Sequence, residues 1–117
     1  MSTIENNPSR YSQYRVMWLL VFFDLPTDTV ADRRNAAQFR KDLLCDGFNM
    51  FQFSIYVRHC SSRENMDVHL KRVKQMLPPL GKVGVLGITD KQFGEMHLFY
   101  GQKPHNTPQA GVQLELF

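Results

Sequence analysis

Eight apolar residues in a row, Val16 to Phe23, run without a break into Asp24-Leu25-Pro26. This run constrains the fold more than any other feature. It is far short of the about 20 residues that a membrane-spanning helix needs. It is rich in Val, Trp and Phe and is closed by proline, so it reads as a strand from Tyr14 to Asp24. A strand with one wet face alternates apolar and polar side chains, and this one does not. Both of its faces must leave water, because each such side chain is worth about 1.5–3 kcal/mol when fully buried.

The elements that follow define what can cover it. Thr29 and Asp32 form a capping pair that opens a helix, with Asp28 and Asp32 at its positive end. Ala36, Phe39 and Leu43 fall on one stripe, with Val30 and Leu44 near it, and Gly47 is the C-cap. Phe48 to His59 is aromatic and β-branched and reads as one long bent strand or a tight hairpin; no Asn-Gly turn decides between them. Ser61 and Glu64 make a capping box for a second helix with Met66, Leu70, Val73 and Leu77 on one face, stopped by Pro78-Pro79 and Gly81. Val83 to Thr89 is a strand interrupted by Gly84 and Gly87, Asp90 to Gly94 is a turn or short helix, and Met96 to Tyr100 is a further core strand.

This order is the split β-α-β pattern of an α+β, ferredoxin-like βαββαβ fold. Three segments result: an arm over 1–13, the folded domain over 14–100, and an extension over 101–117 whose Val112 to Phe117 alternates and can add to a sheet edge. A chain of 117 residues supports one core of this size. Right-handed crossovers put both helices on one sheet face, which leaves the other face of the first strand without cover. A homodimer packed through sheet faces answers that need; the alternative is that the tail folds back over the face.

Composition narrows the function classes. The chain is 43% hydrophobic and 21% charged, an ordinary globular balance, and its net charge of +3 permits nucleic-acid binding without requiring it. The polar N-terminus carries no secretory pattern, and Cys45 and Cys60 make no disulfide framework, so a cytoplasmic protein without a membrane partner is expected. Cys45, His59, Cys60 and His69 match no standard zinc spacing. The basic-glycine-aromatic strand signature of RNA-recognition domains and a phosphate-cradling glycine loop are both missing.

Asp24 is the most informative polar residue. It ends an apolar strand, where a carboxylate projects into a crevice, and Pro26 then turns the chain away. If the sheet stacks on a two-fold mate, two copies of Asp24 approach, and two close carboxylates repel unless a cation or proton lies between them. Mg²⁺ suits such oxygen ligands and phosphate substrates. The competing assignment is that Asp24 caps the next turn or pairs with a helix arginine, and spacing alone favours it. No histidine or lysine near Asp24 is an obvious general base. Arg33, Arg34, Arg40, Lys41 and Arg58 can form a phosphate-facing strip or a solvated helix face paired locally to Asp32 and Asp42.

Three segments carry a resemblance to a known family. Leu20-Val21-Phe22-Phe23-Asp24-Leu25-Pro26, followed by Arg33-Arg34, is similar to the opening strand and basic helix of the small CRISPR-associated endoribonuclease family, the non-integrase subunit of the spacer-acquisition complex. Gly47-Phe48 leading to Gln52-Phe53-Ser54-Ile55-Tyr56 resembles its Gly, then Gln-x-Ser-Val-Phe strand. Ile88-Thr89-Asp90-Lys91-Gln92-Phe93 resembles members that accompany type II systems. Phe23 stands where many members have tyrosine, which removes a hydroxyl but not the carboxylate.

The resemblance implies a ferredoxin-like homodimer, held between integrase dimers and gripping duplex DNA, with RNA as the other candidate substrate. It implies Asp24 as catalytic residue and ligand of Mg²⁺ or Mn²⁺, and phosphate contacts from the basic helix at Arg33 and Arg34. It also implies a tail that pairs along a sheet edge or docks the integrase. Two other functions compete: a stand-alone toxin-like endoribonuclease of the same fold, and a small-molecule regulatory module.

Overall fold

A computed structural model describes residues 16–102. The expected arm over 1–13 and the alternating segment Val112 to Phe117 lie outside the described residues. The element order is β1 (Met17–Asp24), α1 (Val30–Cys45), β2 (Asn49–Gln52), β3 (Ile55–Cys60), α2 (Arg63–Gln75), β4 (Lys82–Thr89) and α3 (Asp90–Gly94). One sheet forms with strand order β2-β3-β1-β4, antiparallel throughout. This is the ferredoxin-like arrangement expected from the sequence.

The apolar run sits at the centre, paired on one side to β3 and on the other to β4. Its odd residues Met17, Leu19, Val21 and Phe23 join Phe39 and Leu43 of α1 and Val73 of α2 in one buried core, so both helices cover the same face. The α1 cap is as expected: Thr29 Oγ1 accepts from Asp32 N–H at 3.0 Å, and Thr29 N–H donates back to the Asp32 carboxylate at 3.2 Å. Gly47, at φ +91°, turns the chain out of α1.

Several local expectations change. Val30 and Leu44 are exposed rather than on the buried stripe. At about 100° per residue, Leu44 is a quarter turn past Leu43, and Val30 is about 120° from Ala36. The α2 cap is Ser62, not Ser61; its Oγ accepts from Asn65 N–H at 3.0 Å, and Glu64 falls inside the first turn. Leu77 is exposed because α2 ends at Gln75, and Met76 packs on the core instead. Phe48 to His59 contains a hairpin, with Phe53-Ser54 as its turn and a bulge between Met50 and Gln52.

Met96 to Tyr100 form no strand, and the sheet ends at β4 on that side among the described residues. The opposite face is also not wholly bare. Short α3 stacks Phe93 on Trp18 (4.3 Å between ring centres), and Trp18 Nε1–H donates to Asp90 Oδ1 at 2.7 Å. That cover reaches only one end of β1. Leu20 is half-buried, while Phe22 is 46% and Leu86 50% exposed.

Candidate metal and nucleic-acid site

Strand alternation sets Asp24 on the same face as Trp18, Leu20 and Phe22, at the end that α3 does not reach. The carboxylate is exposed, and among the described residues it makes no hydrogen bond or ion pair. It neither caps the following turn nor meets an α1 arginine. Arg33 instead donates to the carbonyls of Thr27 (3.0 Å) and Asp28 (3.5 Å). A free carboxylate at a strand end stays hydrated and available to a ligand.

Asp24 opens onto a groove of about 520 Å³ lined with Phe22, Ser54, Ile55, Lys82 and Gly84. Gly84, opposite Phe22 in the ladder, lets the Phe22 ring lie across the floor of β4, since a Cβ there would run into that ring. Lys82 is the ladder partner of Asp24 across β1 and β4. Sequence reading found no lysine near Asp24, since 58 residues separate the two along the chain and only strand register brings them together. Ser54 was missed for the same reason; its carbonyl accepts from Phe23 N–H at 3.1 Å, which ties the hairpin turn to the end of β1.

The donor set bears on the metal. Among the described residues, no group of three or more His, Cys, Asp or Glu side chains comes together as a metal site. One chain therefore does not make a closed cage. A single free carboxylate does suit Mg²⁺, which keeps several waters and takes one or two carboxylates plus substrate phosphates. The cysteines and histidines are scattered. Cys45 is exposed, Cys60 is buried with its thiol pushed up by that burial, and His59 lies edge-on to Trp18. His69 is buried at the seam of α1 and α2, with Nδ1 2.7 Å from Asp46 Oδ2, while Arg72 donates to Asp46 Oδ1 at 2.9 Å. Burial works to raise the Asp46 carboxyl, but hydrogen bonds and charge from His69 and Arg72 outweigh it and hold the group below its ordinary value.

The five basic candidates do not form one uniform strip. Arg33 is engaged with the turn before α1. Arg58 reaches back to the Gly47 carbonyl at 3.4 Å. Arg40 lies over the rings of Phe23 and Phe53, 5.1 and 3.9 Å from their centres, and its Nε–H donates to the Phe53 carbonyl at 3.4 Å. Arg34 and Lys41 are exposed, with no hydrogen bond or ion pair among the described residues.

Residues 17–96 match the family model described as CRISPR associated protein Cas2. A "CRISPR-associated endoribonuclease Cas2" of Flavobacterium psychrophilum is 62% identical over 93% of this chain and 95% of its own length. Proteins of the same name from Parvibaculum lavamentivorans and Paracidovorax avenae are 52% and 43% identical, over 86% and 89% of this chain and 100% and 96% of their own lengths. The chain belongs to the Cas2 family. The Cas2 match spans every described element from β1 to α3, so the free Asp24, its ladder partner Lys82 and the open sheet face all lie within the part that defines the family. Among the described residues, no helix is long and apolar enough to cross a membrane.

Proposed function

We propose that this Cas2-family chain acts as a homodimeric, nucleic-acid-gripping subunit of CRISPR spacer acquisition and carries a metal-dependent phosphodiester nuclease site at Asp24. One observation carries the reading: among the described residues, an unpaired, exposed carboxylate stands at the rim of an apolar sheet face that those residues leave half open. A second copy laid on that face buries Phe22, Leu20 and Leu86 and brings a second Asp24 toward the first. The pair of carboxylates then has a reason to hold Mg²⁺ or Mn²⁺. Such an ion, when bound, supplies an activated water and charge stabilisation on the phosphodiester.

The chain's own residues do the rest. Asp24 anchors the site, and Lys82 beside it offsets the charge of the phosphate being handled. Arg34 and Lys41, which have no partner of their own among the described residues, supply salt-sensitive contacts along a duplex backbone. The names of the relatives, endoribonuclease, support RNA as one substrate. The integrase is the protein partner, met through the tail over 101–117. The lone carboxylate per chain favours a second reading, in which the dimer only captures duplex DNA and does not cut.

The test incubates RNA and duplex DNA with Mg²⁺ and compares the parent with Asp24→Ala. The nuclease reading expects cutting by the parent, none by the variant, and the same dimer in sedimentation for both. A variant that cuts as well as the parent would remove Asp24 from the chemistry. A parent that binds duplex but cuts nothing selects the capture reading. Growth arrest on expression, lost with Asp24→Ala and independent of any integrase, would favour a stand-alone ribonuclease instead.

A further inference from the structure

Phe53 sits in the two-residue turn between β2 and β3 and is 68% exposed. Tight hairpin turns favour Gly, Asn or Asp. Here the turn is Phe-Ser, and no non-glycine residue among those described takes a positive φ. A bulge between Met50 and Gln52 lies immediately before it, a device that re-aims side chains and is common beside active sites.

The ring is not loose. The Arg40 guanidinium is 3.9 Å from its centre, and Arg40 also donates to the Phe53 carbonyl at 3.4 Å. Arg40 in turn lies over Phe23, whose ring meets buried Phe39 edge-on at 5.2 Å. Phe53 is thus the outermost layer of a stack rooted in the core, with a cation on one side and most of its surface open to solvent. The Phe23–Ser54 hydrogen bond places this turn at the same end of the sheet as Asp24.

From this we infer that Phe53, backed by Arg40, is a stacking platform for an unpaired nucleobase, which seats a single-stranded or splayed segment so that its phosphates reach Asp24 and Lys82. The inference rests on the nucleic-acid reading above. A planar base matches the ring face, Arg40 adds a cation–π component and positive charge, and the groove beside the turn admits the backbone. Because Arg40 holds the ring in place beforehand, binding loses little side-chain freedom. Arg40 therefore acts as a positioning residue for Phe53 rather than as a plain phosphate contact.

The experiment titrates the full-length chain, in EDTA to prevent cutting, into short single strands of DNA and RNA that carry a fluorescent adenine analogue. The same sequence as a blunt duplex is the control. Phe53→Ala is expected to weaken single-strand binding about 5- to 100-fold and to abolish the stacking-dependent quenching of the analogue. Phe53→Trp is expected to keep both, Phe53→Leu to behave like Phe53→Ala, and blunt-duplex affinity to stay within about twofold. Equal binding of single strands by the parent and Phe53→Ala overturns the inference. So does an equal loss on blunt duplex, full function in Phe53→Leu, or a shift of the dimer to monomer in sedimentation, which would make Phe53 a packing residue. A parent that binds duplex but no single strand sinks the platform alone, whereas a parent that binds neither sinks the nucleic-acid reading with it.

Discussion

The two faces of β1 are alike in apolar character as far as Phe23 and end in different states. On one face, Met17, Leu19, Val21 and Phe23 are all buried beneath α1 and α2. On the other, burial declines along the strand: Trp18 is buried, Leu20 is half-buried, Phe22 is 46% exposed and Asp24 is exposed. The difference lies in what the chain has available to lay on each face. Helices of 16 and 13 residues span the first, while five-residue α3 covers only the Trp18 end of the second. A run of apolar side chains therefore records a demand for burial, and the length of the covering element decides how much of it the described residues meet. Among the described residues, the part left uncovered lies beside the free carboxylate of Asp24.

The comparison is tested most severely by truncating one ring on each face. Phe39→Ala, on the inner side of α1 and 1% exposed, is expected to cost about 3–5 kcal/mol in urea unfolding. Phe22→Ala on the open face is expected to cost an isolated protomer under about 1 kcal/mol while weakening self-association in sedimentation. Equal costs with no change in association would show that the second face is already closed within the chain.

A smaller effect belongs to the clip that closes the Trp18 end. Asp90→Ala removes the acceptor of the 2.7 Å Trp18 bond and is expected to cost about 1–2 kcal/mol. The chain has one tryptophan, so its fluorescence should shift to the red as the ring is wetted. An unchanged spectrum would mean that the packing around Trp18, Phe93 and His59 included, keeps it dry without Asp90.

The smallest effect concerns the seam of the covered side, where Asp46 joins His69 and Arg72. Its carboxyl is held below the ordinary 3.8, so its contribution is present above that value and is lost as pH falls through the lower folded one. The stability gap between the parent and Asp46→Asn should be widest near neutrality and close as pH drops below 3.8. A gap that persists unchanged into acid would mean that the Asp46 contacts do not depend on its charge.

Much of this was legible from residue order. The split β-α-β topology, the Thr29–Asp32 capping box, the Ala36-Phe39-Leu43 stripe and the strand end at Asp24 all follow from periodicities and caps, which are local rules. Local ambiguity produced the errors. Ser61 and Ser62 are adjacent and chemically alike, so the cap was placed one residue early. Met96 to Tyr100 is apolar enough for a strand, but it pairs with neither edge of the sheet. At the site, Asp24 was found because it terminates its own strand. Lys82, Ser54 and Phe53 were not, because cross-strand register and the roles of turn residues depend on contacts between distant segments.

Sequence alone determined that β1 would be two-faced, that two amphipathic helices would share one side of its sheet, and that a carboxylate would close its end. Hydrophobic burial and chain stereochemistry force those outcomes wherever the chain folds. Tertiary structure alone decided which side chains share that end. It set Lys82 across from Asp24, left the carboxylate unpaired among the described residues, and laid Arg40 over Phe53. Each of those depends on how strands align and how far a short helix reaches, and neither is written in any local run of residues.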